Sequence, residues 1–140
     1  MLQQIYPSVE HPYQFELNKD FNFSAAHYIP SKDAGKCMRT HGHTYFVNIT
    51  IAGDKLDHNG FLVNFSDLKQ LIHDQFDHYL LNDLEPFKGK SPSTEIVAQT
   101  IYTMVQDYLS NRDNQPKCVQ VFLLSLIHIS EPTRLRRISY

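Results

Sequence analysis

The sequence predicts an α+β domain. Two early runs alternate apolar and polar residues with period 2, two later stretches repeat apolar residues every three to four positions, and a short run near residue 120 alternates again. Residues 1–12 read as an irregular arm, because Pro7 and Pro12 break any periodicity. Residues 13–29 form the first predicted strand, with Phe15, Leu17, Phe21, Phe23, Ala25 and His27 on one parity and Asn18-Lys19-Asp20 as a suspected bulge or irregularity. A loop over 30–40 carries Cys37. The second strand, 41–52, sets His41, His43, Tyr45, Val47, Ile49 and Ile51 on one face, opposite Phe46, Asn48 and Thr50.

Turn signals at Gly53-Asp54 and Asn59-Gly60 precede a short extended run, Phe61–Phe65. Ser66 is then a candidate N-cap for a helix with the stripe Leu68, Leu71, Ile72, Phe76, Tyr79. The segment 83–93, with Pro86, Gly89 and Pro92, reads as a loop. Ser93 caps a second helix with the stripe Val97, Ile101, Met104, Val105, Tyr108, which Arg112–Pro116 stops. Cys118–Leu123 is the last strand. The order is strand, strand, helix, helix, strand, and a fourth strand is expected without being clearly supplied.

A chain of 140 residues fits one domain with a single core, and 41% hydrophobic with 20% charged residues is a globular balance. No run approaches the ~20 apolar residues of a membrane span, and the N-terminus lacks a secretory pattern. Two distant cysteines, Cys37 and Cys118, make no disulfide framework, so a cytoplasmic location is expected. A net charge of -2 gives no reason to expect nucleic acid. The charge is unevenly placed, since Arg134, Arg136, Arg137 and Glu131 make residues 125–140 basic and set a boundary near Leu124.

The chemistry concentrates in Cys37-Met-Arg-Thr-His41-Gly-His43, joined by His27 at the end of the first strand. Period-2 alternation sends His41 and His43 to one side, as two ligands of one metal require. Three histidines without a fourth protein ligand describe a Zn2+ site with an open position, the catalytic form. The alternative is three sheet histidines hydrogen bonded within a core. Cys37, between Lys36 and Arg39, is electrostatically favoured as a thiolate, or else is a small buried residue. Cys118, in its alternating strand, reads as structural filler. Asp77-His78 reads by itself as a polar helix end, and Thr94-Glu95 as a helix start with a favourable first-turn acid. His11, His58, His73 and His128 read as surface or structural.

At these residues the chain resembles the 6-pyruvoyltetrahydropterin synthase family. The motifs Phe23-Ser-Ala-Ala-His27, Cys37-x3-His41-Gly-His43-x-Tyr45, Gly60-Phe-Leu-Val-Asn-Phe65, Asp77-His78-x2-Leu81-Asn82 and Ser93-Thr94-Glu95 occur in the family's order, over roughly residues 10–123. Within the family, the likeness is to the bacterial branch that makes 6-carboxytetrahydropterin for queuosine (7-deazaguanine) biosynthesis. The resemblance implies a tunnelling fold, in which antiparallel four-stranded sheets with two helices join into a barrel. The expected assembly is a homo-oligomer, hexamer or tetramer, with sites between subunits. It implies a lyase that converts 7,8-dihydroneopterin triphosphate to 6-carboxytetrahydropterin with loss of acetaldehyde and triphosphate. It further implies that His27, His41 and His43 bind zinc, that Cys37 accepts a proton, that Asp77 and His78 relay protons, and that Thr94 and Glu95 help hold the pterin. The same resemblance admits two other readings: the sister 6-pyruvoyltetrahydropterin activity, or a non-catalytic zinc or pterin-binding protein on this fold.

The chain departs from the pattern at its end. The family carries a Glu-Thr pair after the last strand, whose carboxylate grips the pterin by its exocyclic amine and ring N–H. Counting on from Phe122, that glutamate falls at or near Ser125, and Glu131 is about six residues late. Residues 125–140 do not resemble the family and look like translated sequencing-adapter read-through. The expectation is a family domain over 1–124, with 1–12 as its arm, and a foreign tail.

Overall fold

The computed structural model describes residues 7–30, 41–126 and 133–135. Strands β1 (Phe15–His27) and β2 (His41–Gly53) are followed by helices α1 (Phe65–Phe76) and α2 (Thr94–Ser110), then β3 (Lys117–Leu126) and β4 (Thr133–Leu135). The four strands form one antiparallel sheet in the order β1-β2-β3-β4. The fourth strand, which sequence periodicity did not supply, comes from within the basic tail. One short 3-10 turn, Leu81–Asp83, leads into the segment 83–93 read as a loop and a second, Glu85–Phe87, lies within it, while 61–63 lie outside any strand.

Alternation in β1 and β2 turns Phe21, Phe23, Ala25, Tyr45, Val47, Ile49 and Ile51 to one face. The helices cover this face, α1 over β1 and α2 over β3. Leu68, Ile72 and Phe76 of α1, and Val97, Ile101, Val105 and Leu109 of α2, are fully buried against it. Met104 and Tyr108 pack on its margin.

The first helix starts slightly earlier than Ser66 suggests. Asn64 is the N-cap, and its side-chain oxygen accepts from the N–H of Ser66 at 3.0 Å. An asparagine two residues ahead competes well for this role, and Ser66 becomes a first-turn donor instead. The helix ends at Phe76, which leaves Tyr79 half-exposed beyond it rather than on the stripe. Ser93 caps α2 as expected, its hydroxyl accepting from the N–H of Ile96.

The suspected bulge at Asn18-Lys19-Asp20 is absent. Pairing runs without a shift from Phe15 opposite Gly53 to His27 opposite His41. Asn18 and Asp20 instead project from the outer face and accept side-chain hydrogen bonds from Thr50 (2.6 Å) and Asn48 (2.8 Å) across the ladder. Polar residues here mark cross-strand pairing on the face away from the helices, not an extra residue. The irregularity lies between β2 and β3, where the register shifts at Thr50/Ile51. That slip brings Cys118 into the core with Val121 and Leu123 and leaves Gln120 on the other face, against the simple alternation of Cys118 with Gln120. Cys118 is therefore core filler, as its composition suggests.

The turn after β2 is pinned by Asp57. Its carboxylate accepts from the N–H groups of Phe61 (3.0 Å) and Asn59 (2.9 Å) and faces Arg112 at 3.1 Å, while Gly60 takes the positive φ of 81° that the turn requires. Donation by Phe61, with smaller help from Asn59, His58 and Arg112, holds the Asp57 carboxyl below its ordinary value against a desolvation that opposes it. A carboxyl depressed in the folded state stabilises at neutral pH, and that contribution fades as pH falls through its folded value. In thermal melts, Asp57→Asn is expected to melt below the wild type at pH 7, with the gap closing below about pH 4. A gap that persists unchanged at pH 3 contradicts this account.

Candidate functional site

β1 and β2 meet at their histidines. His27 closes β1 on its inner face and is 3% exposed. In the register His41 stands directly opposite His27, and His43 opposite Ala25, so His27 and His43 are diagonal neighbours on one face. Their ring centroids lie 4.1 Å apart with planes at 65°. His41 is placed by its backbone alone, on the same parity. Among the described residues no group of three potential ligands converges, and the pair His27–His43 is what the side chains establish.

Each imidazole is held through Nδ1. The Tyr45 hydroxyl is 3.2 Å from Nδ1 of His27, and the Ser125 hydroxyl 2.5 Å from Nδ1 of His43. Tyr45 is fully buried and stacks between Phe23 (4.9 Å) and His43 (5.2 Å), which makes an aromatic column under the site. Phe76 of α1 packs on Phe23 from below, with centroids 5.7 Å apart. In the tautomer that donates from Nδ1 to the hydroxyl, Nε2 carries the free lone pair, which is the usual outer-sphere arrangement of a metal-binding histidine. The donor set thus fits a metal.

Asp77 and His78 follow α1 and run beside the outer edge of β1. Asp77 Oδ1 accepts from the N–H of Ser24 (2.9 Å), the N–H of His78 donates to the Ser24 carbonyl (2.6 Å), and that of Ala26 to Tyr79 (3.0 Å). Asn82 extends the seam by a reciprocal pair of hydrogen bonds with the Tyr28 backbone. This zipper engages Ser24, Ala26 and Tyr28 and so fixes the segment on both sides of His27. His78 adopts a positive φ of 66°, an uncommon conformation for a residue with a Cβ, between these anchored neighbours. Its ring is 82% exposed, and Nε2 is 3.5 Å from Asp77 Oδ2, within ion-pair range. A cavity of about 460 Å³ lined by Tyr28, Pro30, Asn82, Phe87 and Lys90 opens beside the end of β1. The hollows at the N-terminal arm and near Arg112 carry none of the predicted site residues.

Thr94 and Glu95 lie in the first turn of α2, with Glu95 exposed. Cys37 falls outside the described residues, as do His128 and Glu131. His11 and His73 are structural, as expected: His11 bonds Glu16 at 2.8 Å, and His73 bonds the Asn22 carbonyl at 2.7 Å. Sequence reading missed Tyr45 and Ser125 as partners of the imidazoles. Parity already put Tyr45 on the histidine face, whereas nothing local marks Ser125.

A family model described as 6-pyruvoyl tetrahydropterin synthase matches residues 16–125. A 6-carboxy-5,6,7,8-tetrahydropterin synthase of Bacillus subtilis is 61% identical over 127 residues, 88% of this chain and 87% of the relative. The protein of the same name in Synechocystis is 35% identical over 99 residues, 65% of this chain and 74% of its own length. The solved Caenorhabditis elegans 6-pyruvoyl tetrahydropterin synthase superposes with a TM-score of 0.63 at 27% identity, covering 78% of this chain and 86% of that one.

Burial pushes the Tyr45 phenol far above the ordinary tyrosine range. A raised phenol is neutral and contributes its full stability at neutral pH, and that contribution is lost only in strong alkali. Tyr45 is expected to ionise well above the ordinary tyrosine range, together with alkaline unfolding. In an ultraviolet titration, Tyr45→Phe should remove amplitude from the phase that accompanies alkaline unfolding. Loss from an early phase would contradict the burial argument.

Proposed function

The chain belongs to the 6-pyruvoyl tetrahydropterin synthase family, and from that premise we propose that it acts as a 6-carboxy-5,6,7,8-tetrahydropterin synthase. In this reading it converts 7,8-dihydroneopterin triphosphate to 6-carboxytetrahydropterin, with release of acetaldehyde and triphosphate, in 7-deazaguanine biosynthesis. The observation that carries it is 61% identity to the Bacillus subtilis enzyme of that name across nearly the whole of both chains. The sister 6-pyruvoyl activity has weaker support, from a 30% identical Dictyostelium relative matched over 54% of this chain.

We assign the metal to His27, His41 and His43. The support is the register that sets residues 27 and 41 opposite each other and the contact of the His27 and His43 rings. Zinc bound there supplies a Lewis acid that lowers the pKa of the substrate's side-chain hydroxyls. The protein's own part is proton handling. Cys37, between Lys36 and Arg39, takes a proton from the side chain as a thiolate. Asp77, itself anchored by the Ser24 N–H, orients His78, whose exposed ring exchanges protons with solvent or substrate. Thr94 and Glu95 are assigned to the pterin ring. Such a site lies between subunits of a homo-oligomer, where an exposed His78 meets substrate held against a neighbouring copy.

We place the end of the family domain at about residue 124, and the family match that stops at 125 supports it. The tail beyond lacks the carboxylate that would pair with the pterin's exocyclic amine and ring N–H. Without that acceptor each of these pterin donors is buried unsatisfied, at about 1–3 kcal/mol apiece. The 140-residue chain is therefore expected to hold metal but to turn over little, and full synthase turnover would sink this expectation.

Metal analysis should find about one zinc per subunit, lost on changing His27, His41 or His43 to alanine. Undiminished zinc in all three variants removes the assignment. In a chain whose C-terminal segment carries the Glu-Thr pair, acetaldehyde among the products separates the carboxy from the pyruvoyl reaction. There Cys37→Ala is expected to abolish turnover with zinc retained. Unchanged activity favours a binding protein without a proton relay.

A further inference from the structure

Ser125 stands at the position where the family pattern calls for the pterin-gripping carboxylate, and its hydroxyl is engaged by a histidine instead. It pairs directly with Tyr45 in the β2–β3 register, which makes His43 its diagonal neighbour on the inner face. The side chain is 3% exposed, and its hydroxyl lies 2.5 Å from Nδ1 of His43. The register shift at Thr50/Ile51 makes this possible, because it sets the phase in which Val121, Leu123 and Ser125 all face inward.

We propose that Ser125 is a positioning residue for the metal centre. Its hydroxyl accepts the Nδ1–H of His43, selects that tautomer, and so presents the Nε2 lone pair to the metal. Tyr45 stands in the same relation to His27 at 3.2 Å. The two imidazoles are thus oriented from different strands, His27 by β2 and His43 by β3. A hydroxyl can take this part although it cannot replace a carboxylate toward pterin, because an imidazole N–H needs only one neutral acceptor. The tail boundary therefore removes the substrate grip while leaving the support of the metal ligand in place.

The inference rests on the histidine metal site proposed above, and the test separates the two. The full chain, stripped of metal and labelled with 15N in its imidazoles, is compared with Ser125→Ala and Ser125→Cys. The cysteine variant is nearly isosteric and a weak acceptor. Two readouts are taken: the His43 tautomer by long-range 15N–1H correlation, and Zn2+ affinity by competition with a chelator. The wild type should carry its proton on Nδ1 of His43. Both variants should shift to mixed or Nε2–H tautomers and bind Zn2+ about 10- to 100-fold more weakly. Ser125→Thr, which keeps the hydroxyl, should restore both. A wild type that binds Zn2+ while the two loss variants change neither tautomer nor affinity overturns the positioning role alone. A wild type that binds no Zn2+ overturns the metal reading and this inference with it.

Discussion

The uninterrupted antiparallel register of β1 against β2 is the constraint on which the site depends. Thirteen consecutive residue pairs, from Phe15–Gly53 to His27–His41, leave no place for a slip. Side chains alternate with period 2, so a shift of one residue would send His27 outward while His43 stayed in the core. The register is held on both faces. Inside, Phe23, Tyr45 and Phe76 stack under the histidines. Outside, Asn18 and Asp20 of β1 bond Thr50 and Asn48 of β2. Burying such polar side chains without these partners would be costly, so the pairs specify alignment as well as contributing stability.

A histidine pair at the end of such a sheet needs support where strands begin to fray. The structure supplies it from two directions. The segment after α1 zips along the outer edge of β1 through Asp77, His78, Tyr79 and Asn82, which covers backbone groups that an edge strand would leave unpaired. From the other side β3 brings Ser125 to His43. Asp77 therefore has a structural role that its sequence position hides, since one carboxylate oxygen is committed to the Ser24 N–H. That commitment is compatible with orienting His78, because the second oxygen faces the ring.

Where sequence reading and structure part, the reasons are physical. Polar residues at 18–20 suggested a bulge, because alternation of apolar residues lapses there. Outward parity with cross-strand acceptors explains them without one. The bulge that exists, near Val119, leaves only a change of phase between Cys118 and Val121, which a strand that short does not reveal. Ser66 and Asn64 are both good caps, and the choice between them falls to whichever backbone turns first. The tail has no amphipathic pattern of its own, yet residues 133–135 pair with β3, because an open strand edge accepts backbone regardless of side chains.

By itself the sequence determined the α+β order, the caps and stripes of α2, the shared parity of His41 and His43, and, through five ordered motifs, the family. All of these are local in the chain: periodicity, capping and spacing need no knowledge of distant partners. Only the tertiary structure decided that His27 and His43 touch, that the hydroxyls of Tyr45 and Ser125 reach their Nδ1 atoms, and that Asp77 is tied to Ser24. Those contacts join residues 16 to 82 positions apart. They are set by strand register and packing, which no short stretch of sequence encodes.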